Sequence, residues 1–356
     1  MHKMEAVPVV GFVNVGNSCY LSAVAHALRH TYPIARLFGS AEAVADLPDT
    51  PAAALTKQWA SLQQSIRAAG GRPNCSVSPV HFVRVVRSAA AKLKTAEAFG
   101  DGNQHDVADF LQFVLDQFHA ATSVTVRMST EGVAKNREDE MMLASYREYR
   151  RHFASDYSAV VEMFSGQFYQ RVQTCDDEQP VERSESYDPF TVLQLPIPTF
   201  RRGKCRLTDC LDLFVASETI EAWRARDGAP ARLAQKTVWL WSLPKVLVIQ
   251  IKRFSGYRVK DQREISFEPR LDLSMYCHGY DRNSAEYELY AVLNHSGSAL
   301  HGHYTADCRD SRTGVWRRYD DSAVQTLTED QFSQRDAYVL FYHRRPPTRQ
   351  PPKYGA

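Results

Sequence analysis

Residues 13–20 read VNVGNSCY, and an apolar stripe with helical spacing follows them. The stripe consists of Leu21, Val24 and Leu28. Because Asn17 and Ser18 are residue types that favour a helix N-cap, the sequence predicts that Cys19 lies in the first turn of a helix. Unpaired N–H groups and the helix dipole there favour a thiolate. A buried structural cysteine is the alternative.

Composition limits the classes of protein to which this chain can belong. It has 356 residues, of which 44% are hydrophobic and 24% charged, enough for one large domain or two ordinary ones. The formal net charge of +2 is too small to predict nucleic acid or an acidic membrane as the main partner. No apolar run is long enough for a membrane span.

The cysteines and the N-terminal residues indicate the cellular compartment in which the protein is expected. Seven scattered cysteines are typical of a reducing environment rather than of a disulfide framework. Residues 6–15, AVPVVGFVNV, lack a convincing cleavage site for a signal peptide, so we expect a loop or strand there that leads into the Cys19 turn. Cytoplasm or nucleus is the expected location.

The order of patterns along the chain predicts an α+β fold, because helices come first and strands later. Helical spacing marks residues 51–69 and 105–122, and the charged residues 136–153 predict an exposed helix. Beyond Phe164, short segments rich in β-branched and aromatic residues alternate with turn formers, which is typical of strands.

A thiol nucleophile needs a nearby base and a group that orients the base. His303 stands at the start of one expected strand, and Asp320 ends the next, 17 positions later. An antiparallel pair of these strands would bring the two side chains together and leave one imidazole nitrogen facing Cys19. Taken singly, His303 could equally be a half-buried histidine and Asp320 a turn residue.

Asn14 is a candidate donor to an oxyanion. Its side-chain amide lies five positions before Cys19, on a loop that contains Gly16. Together with the backbone N–H of Cys19 it could stabilise a tetrahedral intermediate, and such donors contribute about 3 kcal/mol to lowering the barrier. An ordinary loop asparagine is the alternative.

Five motifs, in order along the chain, resemble those of the ubiquitin-specific proteases, a family of papain-like deubiquitinating cysteine proteases. The segment from about Val9 to Tyr342 carries the likeness. The motifs are GFVNVGNSCYLSAVAHAL (11–28), GNQHDVADFLQFVLDQFH (102–119), FSGQF (164–168), LPKVLVIQIKRF (243–254), and a His box that starts with YELYAVLNHSGSALHGHYTADCRD (287–310) and continues through VWRRYDDSAV and AYVLFYHR.

Matched residue by residue, the resemblance assigns roles in catalysis. It implies Cys19 as the nucleophile, His303 as the general base, Asp320 as the orienting acid and Asn14 as the oxyanion donor. Asp321 is the neighbouring acid, which assists in some members of the family.

The resemblance also implies a set of substrate-binding residues. These are Gln104, Asp106, Asp109, Gly302 and Tyr304. The carboxylates of Asp106 and Asp109 suit the arginines that precede the two terminal glycines of ubiquitin. Acids in the first turn of a helix also complement its dipole, so both readings stay open for this pair.

The architecture implied by the resemblance has a thumb, a palm and fingers. The catalytic domain would cover residues 8–343, with the thumb at roughly 8–125 and the palm and fingers at roughly 160–343. The remaining residues, 344–356, are basic and Pro-rich, and we expect them to be disordered.

Many family members tie the fingers with zinc, held by two Cys-x-x-Cys pairs. Here the first pair would begin at Cys175, but Glu178 stands in the second place, and residues 224–236 contain no cysteine. Since Cys205 and Cys210 have a different spacing, four suitable ligands are not available. We therefore expect no structural zinc and no cofactor.

The implied activity is that of a deubiquitinating thiol hydrolase, which cleaves the isopeptide or peptide bond after the C-terminal glycine of ubiquitin. Its partners would be ubiquitin and ubiquitinated proteins, with neither nucleic acid nor membrane. Two alternatives stay open: a catalytically silent scaffold that binds ubiquitin, and a protease for another ubiquitin-like modifier.

Overall fold

Helices dominate the first half of the chain and strands the second, as the sequence predicts for an α+β fold. The structure is a computed structural model and describes residues 7–70, 75–94, 99–175, 181–199, 203–255, 259–298 and 301–346. Most of the basic Pro-rich tail lies outside these ranges, and so does Glu178. No helix in these ranges is long and apolar enough to cross a membrane.

Eight α-helices are present in the described part of the chain. They are α1 (Cys19–His30), α2 (Tyr32–Phe38), α3 (Pro51–Ala69), α4 (Val80–Leu93), α5 (Val107–Thr122), α6 (Arg137–Phe153), α7 (Ala159–Phe164) and α8 (Leu207–Val215). The predicted helix over residues 51–69 is confirmed, and so is the exposed helix within 136–153, in which Ser145 is the one buried residue. Short 3₁₀ turns occur at Glu42–Val44, Ser274–Tyr276, Tyr280–Ser284 and Glu329–Gln331.

The strands form one large sheet, one smaller sheet and three short pairs. In chain order they are β1 (Gly11–Phe12), β2 (Ser76–Val77), β3 (Gly166–Thr174), β4 (Arg183–Phe190), β5 (Val192–Leu195), β6 (Cys205–Arg206), β7 (Glu218–Trp223), β8 (Arg232–Ser242), β9 (Val246–Ile251), β10 (Phe254–Ser255), β11 (Val259–Lys260), β12 (Ile265–Ser266), β13 (Arg270–Asp272), β14 (Glu286–Gly297), β15 (Gly302–Arg309), β16 (Trp316–Asp320), β17 (Ala323–Leu327) and β18 (Ala337–Arg344). The short pairs are β1–β2, β10–β11 and β6–β12.

The large sheet, which we call the palm, has the strand order β17-β16-β15-β14-β18-β9-β5, with β13 also paired to β14. Its central strands are buried on both faces, which explains the continuous apolar run of β9. One face packs against the thumb helices α1 to α5, and the other packs against the elements around α8.

Helix α1 is buried on every side, because it lies between the palm and helix α5. The prediction of a single apolar stripe on this helix is therefore too narrow: all twelve of its residues are buried, including His26, Arg29 and His30. Behind it, Trp59 of α3 contacts Phe82 and Phe118 edge-on and joins three thumb helices.

The smaller sheet, which we call the fingers, has the order β4-β3-β8-β7. A cluster of Tyr169, Tyr187 and Trp241 lies on it and is covered by Met141 and Met142 of α6. Cys175, directly after the last residue of β3, is exposed, whereas Cys205 and Cys210 are buried in the core beneath the palm. The described cysteines of this region are thus divided between two environments.

We expect purified protein to contain no stoichiometric zinc, and its melting temperature to be unchanged by EDTA, because the described thiols do not converge on one site. Elemental analysis and thermal unfolding test this. Cys175→Ser should melt like the wild type. The expectation would be contradicted by about one zinc per chain that is lost on chelation together with stability. The same zinc content in His303→Ala would show that the metal is not held at His303.

A buried ion pair fixes the register between β15 and β16. Asp307 is fully buried and accepts hydrogen bonds from Arg318 Nε at 2.7 Å, Arg318 Nη2 at 2.8 Å and Asn294 Nδ2 at 2.9 Å. These contacts tie together three neighbouring strands, β14 to β16.

Asp307→Ala should lower the free energy of unfolding by about 3–5 kcal/mol, because it leaves the Arg318 cation half-buried and unpaired. The matched control is Glu286→Ala, which removes an exposed carboxylate 3.0 Å from Arg345 in the same sheet. This control should cost less than about 1 kcal/mol. Urea unfolding measures both, and equal losses would contradict the assignment.

Candidate active site

Cys19 is the first residue of α1, as predicted, and is buried. The preceding loop turns through two residues with positive φ, Gly16 at +105° and Asn17 at +47°. Ser18 occupies the N-cap position, but its hydroxyl does not cap the helix. That hydroxyl instead accepts from the backbone N–H of Val15 at 3.0 Å and donates to Asn14 Oδ1 at 3.2 Å.

Asn14 organises this loop through its side-chain oxygen. Asn14 Oδ1 accepts from the backbone N–H of Gly16 at 3.1 Å and of Ser18 at 3.3 Å, so the side-chain nitrogen must point the other way. Asn14 Nδ2 donates to Asp321 Oδ2 at 2.9 Å. One of the two N–H groups of Asn14 Nδ2 is therefore engaged with Asp321. The role of the other N–H group as an oxyanion donor stays a prediction.

Burial of Cys19 raises the pKa of its thiol above the usual value. Hydrogen bonds from the backbone N–H groups of Tyr304, Tyr20 and Cys19 itself act in the opposite direction, while the negative charge of Asp321 raises the pKa further. The N–H groups at the helix N-terminus favour the thiolate, as the sequence predicts, but desolvation of the charged form acts against them and is the larger effect.

His303 and Asp320 lie on neighbouring antiparallel strands, β15 and β16, as the sequence predicts. His303 Nε2 is 2.6 Å from Asp320 Oδ1. Since an ionised carboxylate can only accept, Nε2 carries the proton and Nδ1 is left as the basic nitrogen. Both side chains are partly open to solvent.

Asp321 forms the corner of the turn between β16 and β17, with a φ of +48°. The potential ligand atoms of His303, Asp320 and Asp321 all lie within 4.8 Å of one another. Among the residues that the structure describes, this is the one group of three or more such side chains near enough to share a metal ion.

Gln104 bridges the thumb and the palm. Its Nε2 donates to the carbonyl of Gly302 at 2.8 Å, and its Oε1 accepts from the N–H of Gly302 at 3.1 Å. Residue 302 must be a glycine, because the ring of buried His295 occupies the place that a Cβ atom would take. This pair of bonds fixes the strand directly before His303.

Asp106 is the N-cap of α5, where its Oδ1 accepts from the N–H of Ala108 at 2.7 Å. Its Oδ2 accepts from the hydroxyl of Tyr338 at 2.7 Å. Asp109 follows in the first turn and is exposed. Tyr304 is buried, which raises the pKa of its phenol, and the charge of Asp106 adds to this shift.

Sequence reasoning missed two residues that support this site, Tyr338 and His295. Both lie in stretches quoted for the family motifs, but the role of Tyr338 depends on Asp106, 232 positions away, and that of His295 depends on the pairing of β14 with β15 beneath Gly302. The histidine seven positions before Gly302 was the one available signal.

Comparison with known proteins gives concordant results. Residues 10–342 match the family model for ubiquitin carboxyl-terminal hydrolase. Ubiquitin carboxyl-terminal hydrolase 2 of Bos taurus is 31% identical over 366 residues, which cover 98% of this chain and 57% of the relative. The protein of the same name from Gallus gallus is 32% identical over 306 residues, covering 83% of this chain and 81% of the relative.

The chain thus spans little more than half the length of the bovine relative. Among solved structures, the SAGA Ubp8/Sgf11/Sus1/Sgf73 DUB module bound to ubiquitin aldehyde matches with a TM-score of 0.71 and 21% identity. The match covers 97% of this chain and 72% of that chain, and it shows that the fold is shared.

Asp321→Asn should lower the pKa of Cys19, because it removes a negative charge that disfavours the thiolate while keeping an oxygen for Asn14. The pH profile of alkylation of Cys19 by iodoacetamide, followed by mass spectrometry, should shift to lower pH. Glu286→Gln, which changes an exposed carboxylate on a different strand, β14, should leave the pH profile of alkylation unchanged. A shift of the Asp321→Asn profile to higher pH would contradict this assignment.

Proposed function

The chain belongs to the ubiquitin carboxyl-terminal hydrolase family, and from this premise we propose that it is a deubiquitinating thiol hydrolase. It cleaves the isopeptide or peptide bond that follows the C-terminal glycine of ubiquitin. The observation that carries the proposal is the pairing of His303 with Asp320 at 2.6 Å, on strands packed against the helix that begins at Cys19.

Burial raises the pKa of the Cys19 thiol, so the mechanism that we propose begins with a base that removes its proton. His303 Nδ1 takes the proton from Sγ as the sulfur attacks the glycine carbonyl carbon, and the imidazolium that forms is stabilised by Asp320. The tetrahedral intermediate collapses when His303 returns the proton to the leaving amine. Water, deprotonated by the same nitrogen, then attacks the thioester and releases the glycine carboxylate with the Cys19 thiol.

The oxyanion of that intermediate develops near the N-terminus of α1. The backbone N–H of Cys19 and the second N–H of Asn14 Nδ2 are the donors that we assign to it. Because the oxygen of Asn14 is held by two backbone N–H groups, the amide cannot rotate away, and the donor is oriented before the substrate arrives. Such preorganisation lowers the barrier without a further cost in reorganisation.

Recognition of the arginines in the ubiquitin tail is the role that we assign to Asp106 and Asp109, at the start of α5. Asp106 also caps this helix, because its carboxylate oxygens accept hydrogen bonds from the α5 backbone and from Tyr338. Asp109 follows in the first turn and is exposed.

The test is a ubiquitin probe with an electrophile at its C-terminus. We expect the wild type to be labelled on Cys19, and Cys19→Ala to bind ubiquitin without being labelled and to lose hydrolysis of a ubiquitin substrate. Cys175→Ala, which removes the exposed cysteine of the fingers, is the matched control and should be labelled fully. Binding of ubiquitin by the wild type without labelling, or labelling only by a probe made from another modifier, would overturn the proposal.

A further inference from the structure

The segment before the nucleophile loop, residues 7–14, crosses the turn that follows Asp320; we call it the strap. The backbone N–H of Phe12 donates to the carbonyl of Asp321 at 2.8 Å. Asn14 Nδ2 donates to the carboxylate of the same residue at 2.9 Å. The strap thus holds both the backbone and the side chain of the residue next to Asp320.

The strap also lies against this turn so closely that only glycine fits at one position. A Cβ atom on Gly11 would lie 2.5 Å from the carbonyl oxygen of Ser322 and 2.7 Å from that of Asp321. Real Cβ atoms essentially never approach backbone oxygens so closely, and the neighbours here are backbone rather than the ends of flexible side chains. Any side chain at Gly11 must therefore displace the turn or the strap.

On its other side the strap is held by a buried cation. Arg29 of α1 is 2% exposed, and it donates to the carbonyl of Pro8 at 2.7 Å and to that of Val10 at 3.3 Å. None of the ion pairs within the described ranges includes Arg29. A buried charge without a counter-ion is costly, so these bonds to the strap are its main compensation.

Two further contacts complete the path from α1 to the turn. The ring of Phe12 contacts that of His26, with 4.5 Å between centroids, and His26 stacks on Tyr319 at 4.0 Å. Tyr319 directly precedes Asp320 on β16. The other edge of the strap pairs with β2, through bonds from Gly11 and Val13.

The turn needs such support, because Asp321 adopts a left-handed conformation that disfavours most residues other than glycine. Strain of this kind costs about 1–3 kcal/mol and persists only where the surroundings enforce it. The carboxylate of Asp320 is half-exposed, so its direction depends on the backbone of the turn rather than on packing around the side chain.

We propose that the strap positions Asp320 against His303, with Gly11 and Arg29 as its positioning residues. Arg29 ties the strap to the helix that carries Cys19, and Gly11 lets the strap lie directly on the turn. The consequence for catalysis rests on the proposed function. The geometric part, the hydrogen bond between His303 and Asp320, can be measured without a substrate.

Gly11→Ala should lower kcat for a ubiquitin substrate by about a hundredfold and leave KM within twofold, because a displacement of about 1 Å in a catalytic group has effects of this size. Gly39→Ala is the matched control: a Cβ there also meets a backbone carbonyl, that of Ala35, but at the end of α2. Its kcat should stay near the wild-type value. Equal losses in the two variants would overturn the proposal.

A double-mutant cycle separates positioning from general damage. In an Asp320→Asn background, Gly11→Ala should cause no further loss of kcat, since its effect is transmitted through Asp320. If the losses of kcat in Gly11→Ala and Asp320→Asn multiply in the double variant, the strap acts by a route other than Asp320. Arg29→Met, which keeps length but removes the donors, should behave like Gly11→Ala, and Arg29→Lys should recover part of the activity.

The ¹⁵N chemical shifts of the His303 ring provide a readout that needs no activity. We expect the Nε2–H tautomer in the wild type and Gly39→Ala, and a mixture of tautomers in Gly11→Ala and Arg29→Met. If Gly11→Ala does not fold, Arg29→Met carries the test. Unchanged shifts in the folded variants would overturn the strap, whereas absent hydrolysis by the wild type with altered shifts in the variants would overturn only the proposed function.

Discussion

The burial of α1 between the thumb and the palm is the constraint on which the rest of the molecule depends. All twelve residues of this helix are out of solvent, so its position relative to β14 and β15 is fixed by close packing rather than by the loops at its ends. Because Cys19 is the first residue of α1 and His303 is the second residue of β15, the packing of this helix against this strand fixes the positions of the two residues relative to each other. The helix also buries three basic side chains, those of His26, Arg29 and His30. Arg29 is held by bonds to the carbonyls of Pro8 and Val10, which limits how the helix can be repacked.

The same burial decides the electrostatics of the site. The N–H groups at the helix N-terminus lower the pKa of the Cys19 thiol, whereas its burial raises the pKa and is the larger effect. In the mechanism that we propose, His303 takes the thiol proton at the moment of attack, and its contact of 2.6 Å with Asp320 orients the imidazole for that step. Asp321 increases the need for this base, since its charge disfavours the thiolate while its carboxylate holds Asn14 in place.

Local patterns predicted what local contacts determine. Helix α3 has the predicted limits because Thr50 caps it, with a bond of 3.1 Å to the N–H of Ala53, and because Gly70 follows its last residue. The meeting of His303 and Asp320 was predictable too, since one turn joins their strands. The pairing of Asn14 with Asp321 was not, because 307 positions separate them and no pattern in the chain encodes a contact of that range. The sequence indicated the N–H groups that favour the thiolate of Cys19 but not the size of the opposing desolvation, because burial is a property of the packed helix and not of the residues next to Cys19.

The rim of the cleft is built differently from its floor. Beneath Cys19 the thumb and the palm share an apolar core, whereas at the rim they are joined by exposed hydrogen bonds, such as the pair between Gln104 and Gly302. Within the thumb, Asn17 donates a further exposed bond to the carbonyl of Gly102. Each exposed bond of this kind contributes only about 0.5–1.5 kcal/mol, whereas removing one large apolar side chain from the core costs about 3–5 kcal/mol. Under the proposed function, a peptide tail that exchanged its own backbone bonds for those at the rim would therefore leave the packed floor beneath Cys19 undisturbed. The weaker contacts then lie where the tail would enter, and the close packing lies beneath the nucleophile that we propose.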